Sequence, residues 1–145
     1  MVQIRPVTKE NLDKVLSLRI NDDQAGYVST TAESLAQAYV YQETAFPFAV
    51  YSDGKIVGFI MMGYYKEKKY YTLWKLLIDR DCQHRGYGKA ALLQGIQFLK
   101  NRFQVNEIYT GVIPGNNVAK GLYESLGFME TGVFENNMLE MRLSC

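Results

Sequence analysis

The stretch CQHRGYGKAALLQ, residues 82–94, sets two glycines one residue apart between basic side chains and runs straight into an alanine- and leucine-rich segment. Glycines so placed ahead of a helix let backbone N–H groups approach an anion, because a helix N-terminus carries unpaired donors and a positive partial charge. Three patterns compete for the stretch. A Walker A loop needs a glycine five positions before its Gly-Lys pair and Ser or Thr after it, but Gln83 and Ala90 stand there. A dinucleotide fingerprint, G-x-G-x-x-A, is met in letter by Gly86, Gly88 and Ala91, with Glu107 about 20 residues on as the candidate ribose-binding acid. The pattern Q/R-x-x-G-x-G/A is met by Gln83, Gly86 and Gly88.

The chain on either side decides. Upstream, VQIRPV reads as a strand and TKENLDKVLSLRI, residues 8–20, as a helix with Leu12, Val15, Leu16 and Leu18 on its apolar face. TTAESLAQAYVYQ, residues 30–42, is a second helix, and Thr30 with Glu33 fits a capping box. FPFAVYSDGKIVGFIMMGYY, residues 46–65, is two β-type runs around a Ser52–Lys55 turn. YYTLWKLLID, residues 70–79, follows as a third strand beyond Lys66-Glu67-Lys68-Lys69, which reads as a solvated hairpin tip. The stretch therefore follows an antiparallel meander, whereas a dinucleotide fingerprint belongs in the first unit of a parallel sheet.

Downstream, Leu92, Ile96, Leu99 and Phe103 make a helical stripe, EIYTGV a strand, and NVAKGLYESL a helix with Gly127 as its C-cap. FMETGVFENNMLEMRLS closes the chain as two strands around Asn136-Asn137. The predicted order is β-α-α-β-β-β-α-β-α-β-β. It forms a single α/β (α+β) domain over residues 1–145.

Strand, tight turn, Gln83–Gly88 loop and helix, followed by NNVAKGLYESLGF, resemble the GNAT superfamily of acetyl-CoA-dependent N-acetyltransferases. The second motif, N-x-x-A-x-x-L-Y-x-x-x-G-F, is matched by Asn116, Ala119, Leu122, Tyr123, Gly127 and Phe128. The resemblance covers essentially the whole chain. It implies a mixed, mostly antiparallel sheet of about seven strands flanked by about four helices, with acetyl-CoA as co-substrate and no metal. It places the pyrophosphate in the loop Gln83, His84, Arg85, Gly86, Tyr87, Gly88 and Lys89, where consecutive N–H groups form a nest. Asn116, Ala119 and Lys120 complete the implied coenzyme site. The pantetheine arm pairs with the backbone of Leu77, Ile78 and Asp79, and an oxyanion donor is expected near Leu77.

Amine acetylation also needs a free amine and a proton for the departing thiolate. A lysine-like amine, pKa about 10.4, is nucleophilic in only about one molecule in 10³ at pH 7, a deficit of about 4–5 kcal/mol. For the thiolate, the resemblance implies Tyr123. Its phenol, near ~10, lies about 2 kcal/mol from a thiol near ~8.5. Many relatives carry a glutamate on the third meander strand. Trp74 stands there here, with Lys75 beside it, so the base is left to a water chain ending on Glu33, Glu43 or a tyrosine. Glu33 has a competing role as a capping residue, and His84 belongs to the phosphate loop.

SLAQAYV, FPFAVY and KLLIDRDCQHRGYGKAAL are similar to bacterial spermine/spermidine acetyltransferases, which implies a small polyamine acceptor. Asp22, Asp23, Tyr27, Glu33, Glu43, Tyr39, Tyr41 and Trp74 are the candidate acceptor residues, through carboxylates and cation–π faces. Asp22 and Asp23 read equally well as a solvated loop. Another amine (peptide or antibiotic) and a non-catalytic acetyl-CoA-binding module stay open. Homodimers are common among family members.

The bulk composition agrees with that reading. The 145 residues are 48% apolar and 21% charged with a net charge of +1, which argues against a nucleic-acid binder. Apolar runs such as IVGFIMMGYY are about half the length of a membrane span. Two distant cysteines, Cys82 and Cys145, and a lone His84 do not suit a zinc site. A reduced, cytoplasmic setting is expected.

Overall fold

A computed structural model of the chain describes residues 1–21, 27 and 29–145. Its elements are β1 (Val2–Pro6), α1 (Leu12–Leu16), α2 (Thr31–Val40), β2 (Ala45–Ser52), β3 (Lys55–Tyr65), β4 (Tyr70–Ile78), α3 (Tyr87–Phe103), β5 (Glu107–Val112), α4 (Asn117–Ser125), β6 (Met129–Glu135) and β7 (Met138–Ser144), with a 3-10 turn at Arg80–Cys82. One seven-stranded sheet runs β1-β2-β3-β4-β5-β7-β6. Every neighbouring pair is antiparallel except β4–β5. The element order and mixed, mostly antiparallel sheet are those expected from the sequence.

Two tight hairpins fix the register. Asp53-Gly54 and Asn136-Asn137 all have positive φ, the conformation a two-residue loop needs to match the strand twist. Alternation along the strands then divides the core. Ile60, Met62, Leu73, Ile108 and Met141 face α3 and α4, while Phe59, Met61 and Ala49 face α1 and α2. At the sheet edge, Gln94 of α3 accepts from Ile4 N–H at 2.9 Å and donates to the Val2 carbonyl, tying β1 to the helix.

Three local expectations change. The first helix is five residues rather than thirteen. It stops at Ser17, and the chain beyond is drawn to the end of β4. There Arg19 N–H donates to Asp79 Oδ1 at 2.9 Å and Arg80 N–H to the Arg19 carbonyl at 2.7 Å. The C-cap of α4 is Leu126, with Gly127 one residue later at φ 103°. The Lys66–Lys69 tip is not wholly solvated, since Lys68 is engaged by two carboxylates of the β6–β7 hairpin. Among the described residues, no helix is long and apolar enough to cross a membrane.

Candidate active site

The site begins where β4 and β5 part. Their parallel ladder holds at Tyr71–Ile108 and Thr72–Tyr109. Two threonines close the fork: Thr72 Oγ1 donates to the Tyr109 carbonyl at 2.8 Å and Thr110 Oγ1 to the Leu73 carbonyl at 3.2 Å. A β-bulge sits at the same point. Met61 pairs with Lys75 and Met62 with Leu73, which leaves Trp74 as the extra residue. Trp74 packs on the α1/α2 side of the sheet, edge-on to Tyr41 at 5.8 Å. Lys75 donates to Ser29 Oγ at 2.7 Å, and burial lowers its pKa against the opposing field of Glu33.

Beyond the fork, alternation decides which backbone groups face the gap. Asp79 N–H donates to the Val57 carbonyl on β3 at 2.8 Å, so Leu77, two residues earlier, also points its backbone at β3. Ile78 and Leu76 point the other way. The Ile78 carbonyl accepts from Gln83 Nε2 at 3.0 Å on that side. The Asp79 carbonyl is taken by Cys82 N–H at 2.8 Å.

Tyr123 reaches the fork from α4, and the way that helix ends explains why. Phe128 N–H donates to the Tyr123 carbonyl and Gly127 N–H to that of Glu124, both at 3.0 Å. These are the two bonds of a Schellman motif, and its usual apolar contact is Phe128 against the Tyr123 ring, centroids 5.7 Å apart. Tyr123 is 8% exposed. Burial pushes its pKa up, partly offset by the nearby hydroxyl of Thr110, the threonine that closes the fork.

At the other end of the gap, His84 and Gly86 are both left-handed, with φ 63° and 78°. Gly86 N-caps α3, and among the described residues no side chain caps the first turn. A left-handed residue followed by a helical one turns successive N–H groups inward to a common point. Gly88 lies one step into the helix. A Cβ there would stand 3.7 Å from Ile78 and 3.6 Å from Leu122, in the space between β4 and α4. Nest, glycine-floored channel and the flank of β4 that has no strand partner beyond Thr72 among the described residues together fit the pyrophosphate and pantetheine arm of a coenzyme A thioester.

On the α1/α2 side lies a cavity of about 790 Å³. The end of α2, the β3–β4 hairpin and the β6–β7 hairpin wall it, and it reaches Leu73, Thr110 and Trp74 at the fork. Tyr39, Tyr41, Tyr65 and Tyr70 supply aromatic faces; Glu43, Glu67, Glu135 and Glu140 supply carboxylates. Gln37 also lines it, and its buried Oε1 has no hydrogen-bond partner among the described residues.

The acetyltransferase (GNAT) family description matches residues 12–128 of this chain. The chain belongs to the GNAT family of N-acetyltransferases. It is 29% identical over 145 residues to a spermine/spermidine N(1)-acetyltransferase of Bacillus subtilis, covering 94% of this chain and 93% of the relative. A ribosomal-protein-alanine N-acetyltransferase of Escherichia coli is also 29% identical, over 86% of each chain. The fold is shared with a spermidine N-acetyltransferase of Vibrio cholerae solved with CoA and spermine, TM-score 0.74 and 16% identity over 97% of this chain and 92% of that one.

Within this GNAT chain the expected residues fall into three groups. Gly86, Tyr87, Gly88 and Lys89 form the N-terminal turn of α3, with His84 and Arg85 exposed before it. Other expected coenzyme residues have work inside the protein. Gln83 supports Ile78, Asn116 Oδ1 accepts from Ala119 N–H at 3.3 Å, and Lys120 pairs with Glu130 at 3.1 Å. Of the acceptor candidates, Trp74, Tyr39, Tyr41 and Glu43 line the cavity. Glu33 does not. It sits in the first turn of α2, where its N–H donates to Thr30 Oγ1 at 3.1 Å. Tyr27 lies against the β5–α4 loop at Gly115. Asp22 and Asp23 lie outside the described residues. Sequence reading missed Gln37, Tyr70, Thr110, Glu135 and Glu140. Only Thr110 carried a signal, a hydroxyl on the strand that must pair where the sheet opens.

Proposed function

We propose that the protein transfers acetyl from acetyl-CoA to a primary amine of a small polyamine such as spermine or spermidine, by direct attack of the amine. The observation that carries this is the cavity lined by tyrosines and glutamates that ends at the fork beside Thr110, whose hydroxyl acts on the Tyr123 phenol. Aromatic faces and carboxylates are the groups that hold a chain of ammonium centres. The Bacillus relative named for spermine and spermidine supports the same acceptor.

Acetyl-CoA supplies the activated thioester. The chain's own residues do the rest. N–H groups from Gly86 to Lys89 hold the pyrophosphate, and the gap-facing backbone of Leu76 and Ile78 takes over the pairing role that alternation denies to Leu77 and Asp79. The Ile78 N–H is the donor for developing negative charge on oxygen. Tyr123 holds the proton for the leaving sulfur. Burial keeps its phenol fully protonated at neutral pH. The same dry surroundings raise a thiolate's proton affinity, so the gap of about 2 kcal/mol between them is not widened by burial alone. The amine's proton leaves through the cavity, toward Glu43 or a tyrosine.

A peptide amine is the second reading, favoured by the equally identical ribosomal-protein relative. Thiol release from acetyl-CoA, followed against spermine, spermidine, a lysine peptide, an alanine-terminated peptide and an aminoglycoside, separates the two. Release with the polyamines is expected. Release confined to the peptides excludes the polyamine reading, and no release with any amine excludes catalysis.

A further inference from the structure

The far end of the cavity holds an arrangement that acetyl transfer itself does not require. Lys68, at the β3–β4 tip, places Nζ 2.7 Å from Glu135 Oε2 and 3.4 Å from Glu140 Oε2. Glu140 is the better-buried acid, its side chain 14% exposed. Thr131 Oγ1 donates to its Oε1 at 2.8 Å and the Tyr70 hydroxyl to its Oε2 at 3.4 Å. The Tyr70 ring is itself fixed by stacking on Tyr109 at 4.0 Å. An ammonium group, two carboxylates and a phenol hydroxyl thus already form a cation seat, and the ammonium comes from the chain.

The seat lies in line with the reacting end. Tyr70 precedes Trp74 by four residues on β4, about 13 Å of extended strand. Gln37, with its buried amide oxygen lacking a donor, lines the same cavity. An acceptor with one amine at the fork and a second ammonium some way along a flexible chain meets acceptors at both places. A monoamine meets only the first.

We propose that Glu135 and Glu140 form the seat for the distal ammonium of a chain-like polyamine, and that Lys68 competes with the acceptor for it. Lys68 is then a specificity-determining residue, which weakens polyamine binding without touching the reacting amine. This deepens the polyamine reading above and rests on it. The hydrogen bond to Glu135, opposed by burial and supported by the fields of Tyr70, Glu135 and Glu140, raises the Lys68 pKa above the ordinary lysine value, so the ammonium stays charged at neutral pH.

The test is calorimetric titration of spermidine and of a butyl monoamine into the full chain, as wild type, Lys68→Met, Lys68→Arg and Glu140→Gln, with thiol release measured in parallel. Lys68→Met is expected to tighten spermidine about three- to tenfold, the scale of removing one partly exposed ion-pair competitor, and so to raise the spermidine/monoamine affinity ratio by the same factor. Lys68→Arg keeps the ratio near wild type. Glu140→Gln weakens spermidine by about tenfold. The inference is overturned if Lys68→Met leaves the ratio unchanged or lowers it, with thermal melts confirming that the variant is folded. The absence of thiol release with any amine would sink the acetyltransferase reading instead, while the binding ratio still decides the seat.

Discussion

Gly88 and Tyr123 are the residues at which function and stability pull apart most cleanly. A Cβ at Gly88 meets Ile78 and Leu122 at ordinary contact distance, so the protein has room for it. Alanine also suits a helix better than glycine, by about 0.5–1 kcal/mol. Gly88→Ala should therefore leave thermal stability equal or slightly raised, and the G/A position of the loop pattern admits it. Gly88→Leu, whose side chain extends into the channel, should instead weaken coenzyme A binding, by titration. Weaker stability with unchanged coenzyme binding would mean that the glycine serves the fold alone. Tyr123→Phe tests the other role. The Thr110 hydroxyl keeps its bond to Leu73, so the loss of stability should be about 0.5–1.5 kcal/mol. Turnover should fall by about 10² or more, the usual worth of a positioned proton donor, with acetyl-CoA binding retained. Unchanged turnover would remove Tyr123 from the chemistry.

At the scale of elements, α4 shows how a motif becomes a position. Gly127 at φ 103° lets the helix terminate so that Phe128 folds back on Tyr123, and a Cβ there would press Leu143 at 3.3 Å. Gly127→Ala should cost about 1–2 kcal/mol from the left-handed backbone. It should also lower kcat more than it raises the KM for acetyl-CoA, because the phenol is displaced while the α3 nest is untouched. A stability loss without any change in kcat would show that the Schellman contact does not position Tyr123. This motif, the glycine loop and the two hairpin turns were legible because each depends on residues close in sequence. The bulge was not. In LWKLL apolar side chains stand on both sides of the single Lys75, so an extra residue leaves no clear break in period. The truncation of α1 was hidden for a related reason, since its cause is Asp79, sixty residues away. The cavity was legible only in part: Tyr39, Tyr41, Glu43 and Trp74 stand near helix two and the bulge, whereas Glu135 and Glu140 come from a hairpin whose sequence reads as plain exposed strand.

For the molecule as a whole, the sheet gathers phenols and lysines whose proton affinities differ between folded and unfolded chains, and their signs predict its alkaline behaviour. Burial raises Tyr70 from 10.0 to about 12, with the fields of Glu140 adding to the rise. Burial also raises Tyr71 and Tyr123. Below pH 10 both states keep these protons, and the phenols contribute no slope. Between 10 and about 12 the unfolded chain releases them while the folded chain retains them. The folded state then binds more protons, so stability must fall as pH rises. Lys75 acts in the opposite sense: burial lowers its pKa from 10.5, so the folded chain gives up that proton first and gains stability with rising pH below 10.5. The two effects should yield a melting temperature that is level or gently rising up to about pH 10 and declines beyond it. Tyr70→Phe removes one of the phenol contributions and should flatten the decline, whereas Lys75→Met should remove the earlier rise and leave the decline in place. Circular-dichroism melts from pH 8 upward give the profiles directly, and a Tyr70→Phe curve with the wild-type slope above pH 10 would rule out the buried phenol as its source.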